Sequence, residues 1–235
     1  MNKESTERSE YFEQWGIYRK VIHNNYMFHS EIIDIVKSEI RDSRDISVLD
    51  LGCGDSHVFA SSIDNTLNFK YLGIDTSSSA IRFSKNNLRG YKVNASYING
   101  DFFTELEKLK LDFDMIISGY SLHHLEREKK EKFFSLVFER LSDNGIFIFY
   151  DLELGRGESP SDYMERECPI IRRIFQQFNR NEMDIIMHHM NNHDIPESGY
   201  FHMSNMKKNR FSDIKKRFRD ENDLYSLYVS RKRTS

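Results

Sequence analysis

The sequence predicts an α/β fold, in which helices cover both faces of a doubly wound, mostly parallel sheet. Two observations predict this class. Apolar, β-branched segments alternate with stretches of helical periodicity between residues 45 and 153. Each apolar segment also ends in polar residues or glycine, and a Gly-x-Gly turn follows the first of them. Such a turn brings the carboxyl end of a parallel strand to a nucleotide-like ligand.

Five strands are expected in this region, and their polar ends should meet at one edge of the sheet. The apolar segments are Val48–Leu51, Tyr71–Ile74, Ala95–Ile98, Phe113–Ser118 and Gly145–Asp151. A turn at residues 143–145 is expected to begin the fifth strand.

The first three strand ends carry side chains suited to a nucleoside ligand. Asp50 precedes the turn Gly52-Cys53-Gly54, whose glycines let the backbone approach a ligand closely. Asp75 follows about 20 residues later, where doubly wound sheets place a carboxylate on ribose hydroxyls. His57 stands where a dinucleotide-binding fingerprint has its third glycine, which disfavours an NAD-dependent dehydrogenase.

In these motifs the sequence resembles the class I S-adenosylmethionine-dependent methyltransferases, especially their small-molecule branches. The matching segments read VLDLGCGDS, YLGIDTS, INGDFF, FDMIISGYSLHHL and LSDNGIFIFYDLE, within residues 45–153. The resemblance implies a Rossmann-like seven-stranded sheet with an antiparallel last strand. It also implies S-adenosyl-L-methionine as the cofactor and S-adenosyl-L-homocysteine as the product.

The resemblance assigns the cofactor site to the strand ends. Asp50 and the glycine turn would hold the methionine end, and Asp75 the ribose. Asp101 would accept from the adenine amine, and Phe102 would cover the ring. The full expected set is Asp50, Gly52, Cys53, Gly54, Asp75, Thr76, Asp101, Phe102, Ser118, Gly119 and His123.

Methyl transfer needs a general base only when the acceptor is a hydroxyl or a protonated amine. The candidate bases are His124, His123, Tyr120, Asp151 and His29. No catalytic residue is assigned among them, because the HHL segment is widespread in the resembled family whatever the acceptor.

One domain, residues 1–235, is expected, with the cofactor-binding core at 45–153. Residues 8–41 should form an N-terminal helical cap with a break at Asn24–Asn25. Residues 154–206 should form a helical lid insertion, and residues 207–231 a terminal β-hairpin. Within the insertion, one helix is expected to start just after Pro169 and a second to be capped by Asn181.

The sequence predicts no metal site. His189 and His193 lie one helical turn apart in the insertion, a spacing that can ligate a metal. No HExxH motif or cysteine pair supports such a site.

The bulk composition predicts a soluble globular protein, with 38% hydrophobic and 30% charged residues. No apolar stretch is long enough to span a bilayer, and the polar N-terminus lacks a signal-peptide core. Cys53 and Cys168 suggest no disulfide framework, so a cytoplasmic location is expected.

The leading functional hypothesis is methyl transfer to an oxygen or nitrogen of a small molecule. The alternative is methylation of RNA or protein docked on the basic hairpin. Residues 207–233 hold ten Lys or Arg against four Asp or Glu, a net charge of +6 in a chain of −3. A nucleic-acid partner is not expected, because the Pro-Pro signature of many base-amino methyltransferases is absent after the fourth strand. A non-catalytic cofactor-binding protein is the third hypothesis, and the oligomeric state stays open.

Overall fold

The computed structural model of the chain describes residues 16–40 and 45–233. The strands are β1 Ile46–Leu51, β2 Phe69–Asp75, β3 Val93–Asn99, β4 Phe113–Gly119, β5 Leu141–Leu154, β6 Glu197–Ser198, β7 Ser212–Arg219 and β8 Tyr225–Arg231. The helices are α1 (residues 16–23), α2 His29–Glu39, α3 His57–Ser62, α4 Ser78–Asn87, α5 Phe102–Lys108, α6 Arg127–Arg140, α7 Pro160–Ile174, α8 Arg180–His193 and α9 Gly199–Lys208. A 3₁₀ turn spans Leu122–His124.

The main sheet has seven strands in the order β3-β2-β1-β4-β5-β8-β7. Strands β1 to β5 pair in parallel, and β8 is antiparallel to both β5 and β7. The two-residue strand β6 pairs with the end of β5. The predicted Rossmann-like class, with its antiparallel last strand, is confirmed.

The sheet is covered by apolar side chains on both faces, as parallel sheets require. Leu49 and Leu51 of β1 point to one face, where helices α5, α6 and α9 pack. Val48 points to the other face, among side chains of α2 and α3. This alternation leaves the carboxyl ends of the strands as the accessible polar edge.

Helix α9, within the segment expected to be lid, packs on the sheet itself. Its Phe201 and Met206 belong to the same buried cluster as Phe133 and Phe147. We therefore restrict the proposed lid to α7 and α8.

Both insertion helices begin earlier than predicted. Helix α7 starts at Pro160 behind a capping box from Ser159 to Asp162, so Pro169 lies inside it. Helix α8 is capped by Asn179, whose box with Glu182 takes the place expected for Asn181. In each case a side chain three residues on completes the cap, which satisfies two backbone amides together. The expected turn at residues 143–145 is likewise part of β5, at an irregularity in its register with β4.

The N-terminal helices and the insertion face each other across the polar edge. The ring of Tyr26 stacks on Phe175 at a centroid distance of 4.4 Å. Nζ of Lys20 lies 2.6 Å from the Glu182 carboxylate. Of the expected cap, residues 8–15 and 41 lie outside the described residues. None of the helices in the described ranges is long and apolar enough to cross a bilayer.

Candidate active site

A cavity of about 310 Å³ lies at the carboxyl edge of the sheet. Six of the predicted cofactor-binding residues line it: Asp50, Gly52, Cys53, Gly54, Asp75 and Gly119. They come from the ends of β1, β2 and β4, which are neighbours in the sheet. The parallel order of the strands therefore brings together residues that are nearly 70 positions apart.

The glycine turn is held by the strand beside it. Gly52 adopts a φ of 70°, and a Cβ there would lie 2.1 Å from Oγ of Ser121. The amides of Gly52 and Cys53 donate to the carbonyl of Ile74. The amide of Gly54 donates to Oδ2 of Asp75 at 2.8 Å. Asp75 therefore stabilises the glycine turn through this hydrogen bond and also lines the cavity.

Acidic side chains line this cavity. Asp50 is buried, and its pKa is raised to about 7 mainly by burial, with Asp75 and Asp55 adding to the effect. The hydroxyl of Tyr71 donates to Asp50 at 2.8 Å and opposes that rise. Burial also raises the pKa of Asp75, against the backbone amides that it accepts from. A positively charged ligand would relieve the repulsion among these carboxylates.

A second cavity, of about 460 Å³, lies between α1, helices α7 and α8 and the 3₁₀ turn. Much of its wall is apolar, including Val21, Ile171 and Met190. The rest carries imidazoles and carboxylates: His123, His124, His189, Glu167 and Asp194. The two cavities share Tyr18, His29 and Tyr120 in their linings, so they meet at these side chains.

At this junction His29 is a neutral imidazole. Burial lowers its pKa to about 4, and the nearby His57 adds to the effect. Nδ1 of His29 is buried and has no hydrogen-bond partner within residues 16–40 and 45–233. The hydroxyl of Tyr120 donates to the carbonyl of Met27, and burial raises its pKa well above the usual value. Of the two, His29 has a nitrogen able to accept a proton.

His123 is held by a buried carboxylate. Nδ1 of its ring bonds Oδ1 of Asp151, and its backbone amide donates to Oδ2 of Asp151 at 3.0 Å. Burial opposes the charge of His123, but Asp151 raises its pKa overall. The adjacent His124 has its pKa lowered to about 4, first by burial and then by His123. Asp151 thus orients the ring of His123, and both of its carboxylate oxygens already form hydrogen bonds.

Four of the predicted cofactor-binding residues line neither cavity. Asp101 caps α5 by accepting from the amide of Thr104 at 2.8 Å. Phe102 is buried against Phe133, at a centroid distance of 6.1 Å. Ser118 is fully buried, and the carbonyl of Thr76 accepts from Asn99. The position of a residue in a sequence motif does not by itself show whether its side chain caps a helix, packs in the core or contacts a ligand.

The chain is similar to known methyltransferases. A family model described as a methyltransferase domain matches residues 42–228. A carboxy-S-adenosyl-L-methionine synthase of Nautilia profundicola is 25% identical over 157 residues, covering 63% of this chain and 63% of that protein. The chain thus spans less than two thirds of that relative's length.

Two further similarities agree. A protein of Oceanobacillus iheyensis named as an uncharacterised methyltransferase is 25% identical over 177 residues, covering 68% of this chain and 80% of its own length. The structure of an O-methyltransferase family protein from Burkholderia thailandensis superposes with a TM-score of 0.60 at 14% identity, covering 92% of this chain and 60% of that one. At that identity the superposition shows a shared fold.

Proposed function

Since this chain belongs to the methyltransferase domain family, whose members use S-adenosyl-L-methionine, we propose that it methylates an oxygen or nitrogen of a small molecule. One observation carries the proposal. An acidic cavity at the glycine turn meets a larger, mostly apolar cavity at Tyr18, His29 and Tyr120. Both volumes suit small ligands, and a methyl group must cross between two ligands over a short gap.

The residues of the first cavity fit the cofactor. The sulfonium and ammonium groups of S-adenosyl-L-methionine are cationic, and Asp50 and Asp75 supply the opposite charge. The backbone approaches closely at Gly52, where a side chain would collide with Ser121. When bound, the cofactor supplies an activated methyl group, and the chain aligns the reactants. Alignment alone is worth ~7–11 kcal/mol for well-oriented groups.

We assign His29 as the general base that takes the proton when the methyl acceptor is a hydroxyl or an ammonium group. It lines both cavities, and its unpartnered Nδ1 lies in the buried junction. His123 and Asp151 bond each other, and the Tyr120 hydroxyl already donates to a carbonyl. Loss of a positioned base costs about 10²- to 10⁴-fold in rate. His29→Gln should therefore lower kcat by that order.

The central experiment uses labelled S-adenosyl-L-methionine, the full chain and a fractionated metabolite extract. Label in a small-molecule product, absent with His29→Gln, supports the proposal. Tight cofactor binding without any S-adenosyl-L-homocysteine production would leave only a cofactor-binding protein. Label appearing in RNA or protein would contradict the choice of acceptor.

The macromolecular alternative has less support, because five of the ten Lys and Arg side chains in residues 207–233 form ion pairs within the described residues. Arg217 and Arg231 both bind the buried carboxylate of Glu39. Lys216 binds Glu153 at 2.6 Å. Cations held in this way release few counterions from a phosphate backbone. RNA retention that falls steeply with salt would nevertheless favour the alternative.

Asp75→Ala is expected to weaken S-adenosyl-L-homocysteine binding by ~1–3 kcal/mol, or roughly 5- to 150-fold. The carboxylate that we assign to the ribose is removed, and the amide of Gly54 loses its acceptor. Calorimetry measures the change. Asp64→Ala removes an exposed carboxylate as the matched control. An unchanged dissociation constant in folded Asp75→Ala would remove Asp75 from the site.

Cofactor affinity should fall as the pH drops below about 7, the folded-state pKa of Asp50. Protonated Asp50 cannot attract a cationic ligand, so binding requires loss of that proton. The slope should approach tenfold per pH unit. Asp50→Asn keeps an acceptor for the hydroxyl of Tyr71 and should bind weakly with a flatter profile. The same slope in both proteins would assign the titration to another group.

Helices α7 and α8, with residues 24–28, should act as a lid. Tyr18 lines the first cavity, the Lys20–Glu182 ion pair ties α1 to the insertion, and the Tyr26–Phe175 stack does the same for the turn after α1. Saturating S-adenosyl-L-homocysteine should therefore slow amide exchange in these segments by about tenfold. Strand β7, whose residues line neither cavity, serves as the internal reference. Equal exchange with and without ligand would make the insertion structural packing only.

A further inference from the structure

Four side chains converge in the wall of the second cavity. His123 and His124 come from the 3₁₀ turn, His189 from α8, and Asp194 from the C-cap of α8. Oδ1 of Asp194 is their common neighbour. It lies 3.5 Å from Nε2 of His123, 3.7 Å from Nδ1 of His124 and 3.7 Å from Nε2 of His189.

The carboxylate of Asp194 is buried without being satisfied. Its side chain is 6% exposed, and Oδ1 has no hydrogen-bond partner in the described part of the chain. The three nitrogens are too distant for good hydrogen bonds. Two ligands at 2.0–2.1 Å from one tetrahedral ion would stand about 3.3 Å apart. The three distances from Oδ1 of Asp194 are close to that value.

The ring of His123 is prepared for ligation. Its Nδ1 bonds the buried carboxylate of Asp151, which leaves Nε2 directed at Asp194. Histidine ligands are commonly held by a carboxylate on the second ring nitrogen in this way, which fixes the tautomer and ring orientation. The ligand atoms of His123, His124 and Asp194 also lie within 4.8 Å of one another.

We propose that His123, His124 and Asp194 bind a divalent transition metal ion whose fourth position stays open to the cavity. Imidazole nitrogens with one carboxylate suit zinc and its neighbours in the first transition row, whereas magnesium and calcium prefer oxygen ligands. Nδ1 of His124 also lies 3.3 Å from the carbonyl of His193, a long contact that ligation replaces.

A metal ion there would face the second cavity, which His123, His124 and Asp194 all line. It would bind an acceptor hydroxyl or carboxylate and lower the pKa of a bound hydroxyl. This role rests on the function proposed above, whereas metal binding itself does not. The acceptor class that fits best is a small molecule with an ionisable oxygen next to the methylated atom.

Metal binding is tested on the full chain without a polyhistidine tag, after chelator treatment. We expect one Zn²⁺ or Co²⁺ per chain by calorimetry and elemental analysis, and visible absorption bands of tetrahedral Co²⁺. His124→Gln should weaken binding by about tenfold or more. Its side chain is 39% exposed, so the fold should survive. Asp194→Asn is the second test.

His193→Gln is the matched control, because His193 is an exposed histidine of α8 that is not one of the proposed ligands. It should bind metal as the wild type does. Stoichiometry below one without Co²⁺ bands, or equal losses in His193→Gln and His124→Gln, would overturn the proposal and leave an ion-pair network around Asp194. Cofactor affinity, measured on the metal-free chain, separates this failure from failure of the proposed methyl transfer.

Discussion

Gly119→Ala is expected to weaken cofactor binding by about 100-fold and to destabilise the fold by ~1–3 kcal/mol. Gly119 ends β4 opposite Tyr150 of β5 and lines the cofactor cavity. A Cβ there would lie 2.0 Å from Cζ of Tyr150. The ring is buried and packs edge-on against Tyr120 at 5.1 Å. It can yield by straining the core, which lowers stability, or by entering the cavity, which reduces the space for the cofactor.

Calorimetry with S-adenosyl-L-homocysteine and urea unfolding measure the two effects. Adding Tyr150→Leu to Gly119→Ala removes the colliding ring atoms and should restore part of the affinity. Gly16→Ala is the control, because nothing lies within 4 Å of its added Cβ. Wild-type affinity in Gly119→Ala would mean that the ring moves freely and that this wall does not shape the site.

The fold could be predicted because its signals are local and repeated. The apolar run of each strand from β1 to β5 is followed by a polar residue or glycine, and the Gly-x-Gly turn marks the first crossover. The predicted start of α7 is wrong because Pro169 lies inside this helix, which begins behind the Ser159–Asp162 box. A proline inside a helix is tolerated when the cap and the packing outweigh one lost hydrogen bond.

The candidate site was predicted in part. Asp50, Gly52, Asp75 and Gly119 follow from strand ends, since topology alone sends those ends to one edge. Phe102 lines neither cavity, because the first turn of α5 places its ring in the buried cluster against Phe133.

The second cavity was beyond sequence reasoning for a different reason. Its polar side combines the 3₁₀ turn with Asp194, about 70 positions later, and only the fold of the insertion brings them together. The sequence drew attention to His189 and His193 as a helical pair. In the structure His189 approaches Asp194, while His193 is exposed.

Asp151→Ala is expected to cost about 3–5 kcal/mol of unfolding free energy, the usual loss when one partner of a buried pair is removed. Asp151 is 3% exposed, and its Oδ1 bonds Nδ1 of His123. The same carboxylate accepts from the backbone amides of His123 and Leu152, at 3.0 and 2.8 Å. Alanine would leave two amides and an imidazole buried without hydrogen-bond partners, and each unsatisfied group costs free energy of folding.

Chemical unfolding at neutral pH with a chelator present isolates this effect from any bound metal. Asp151→Asn keeps an oxygen acceptor and loses the charge, so its loss should lie between those of the wild type and Asp151→Ala. Glu221→Ala, an exposed carboxylate of the hairpin turn, should stay within about 0.5 kcal/mol of the wild type. A loss below about 1 kcal/mol in Asp151→Ala would mean that water or a rearranged His123 replaces the carboxylate, and that this carboxylate does not hold the 3₁₀ turn in place.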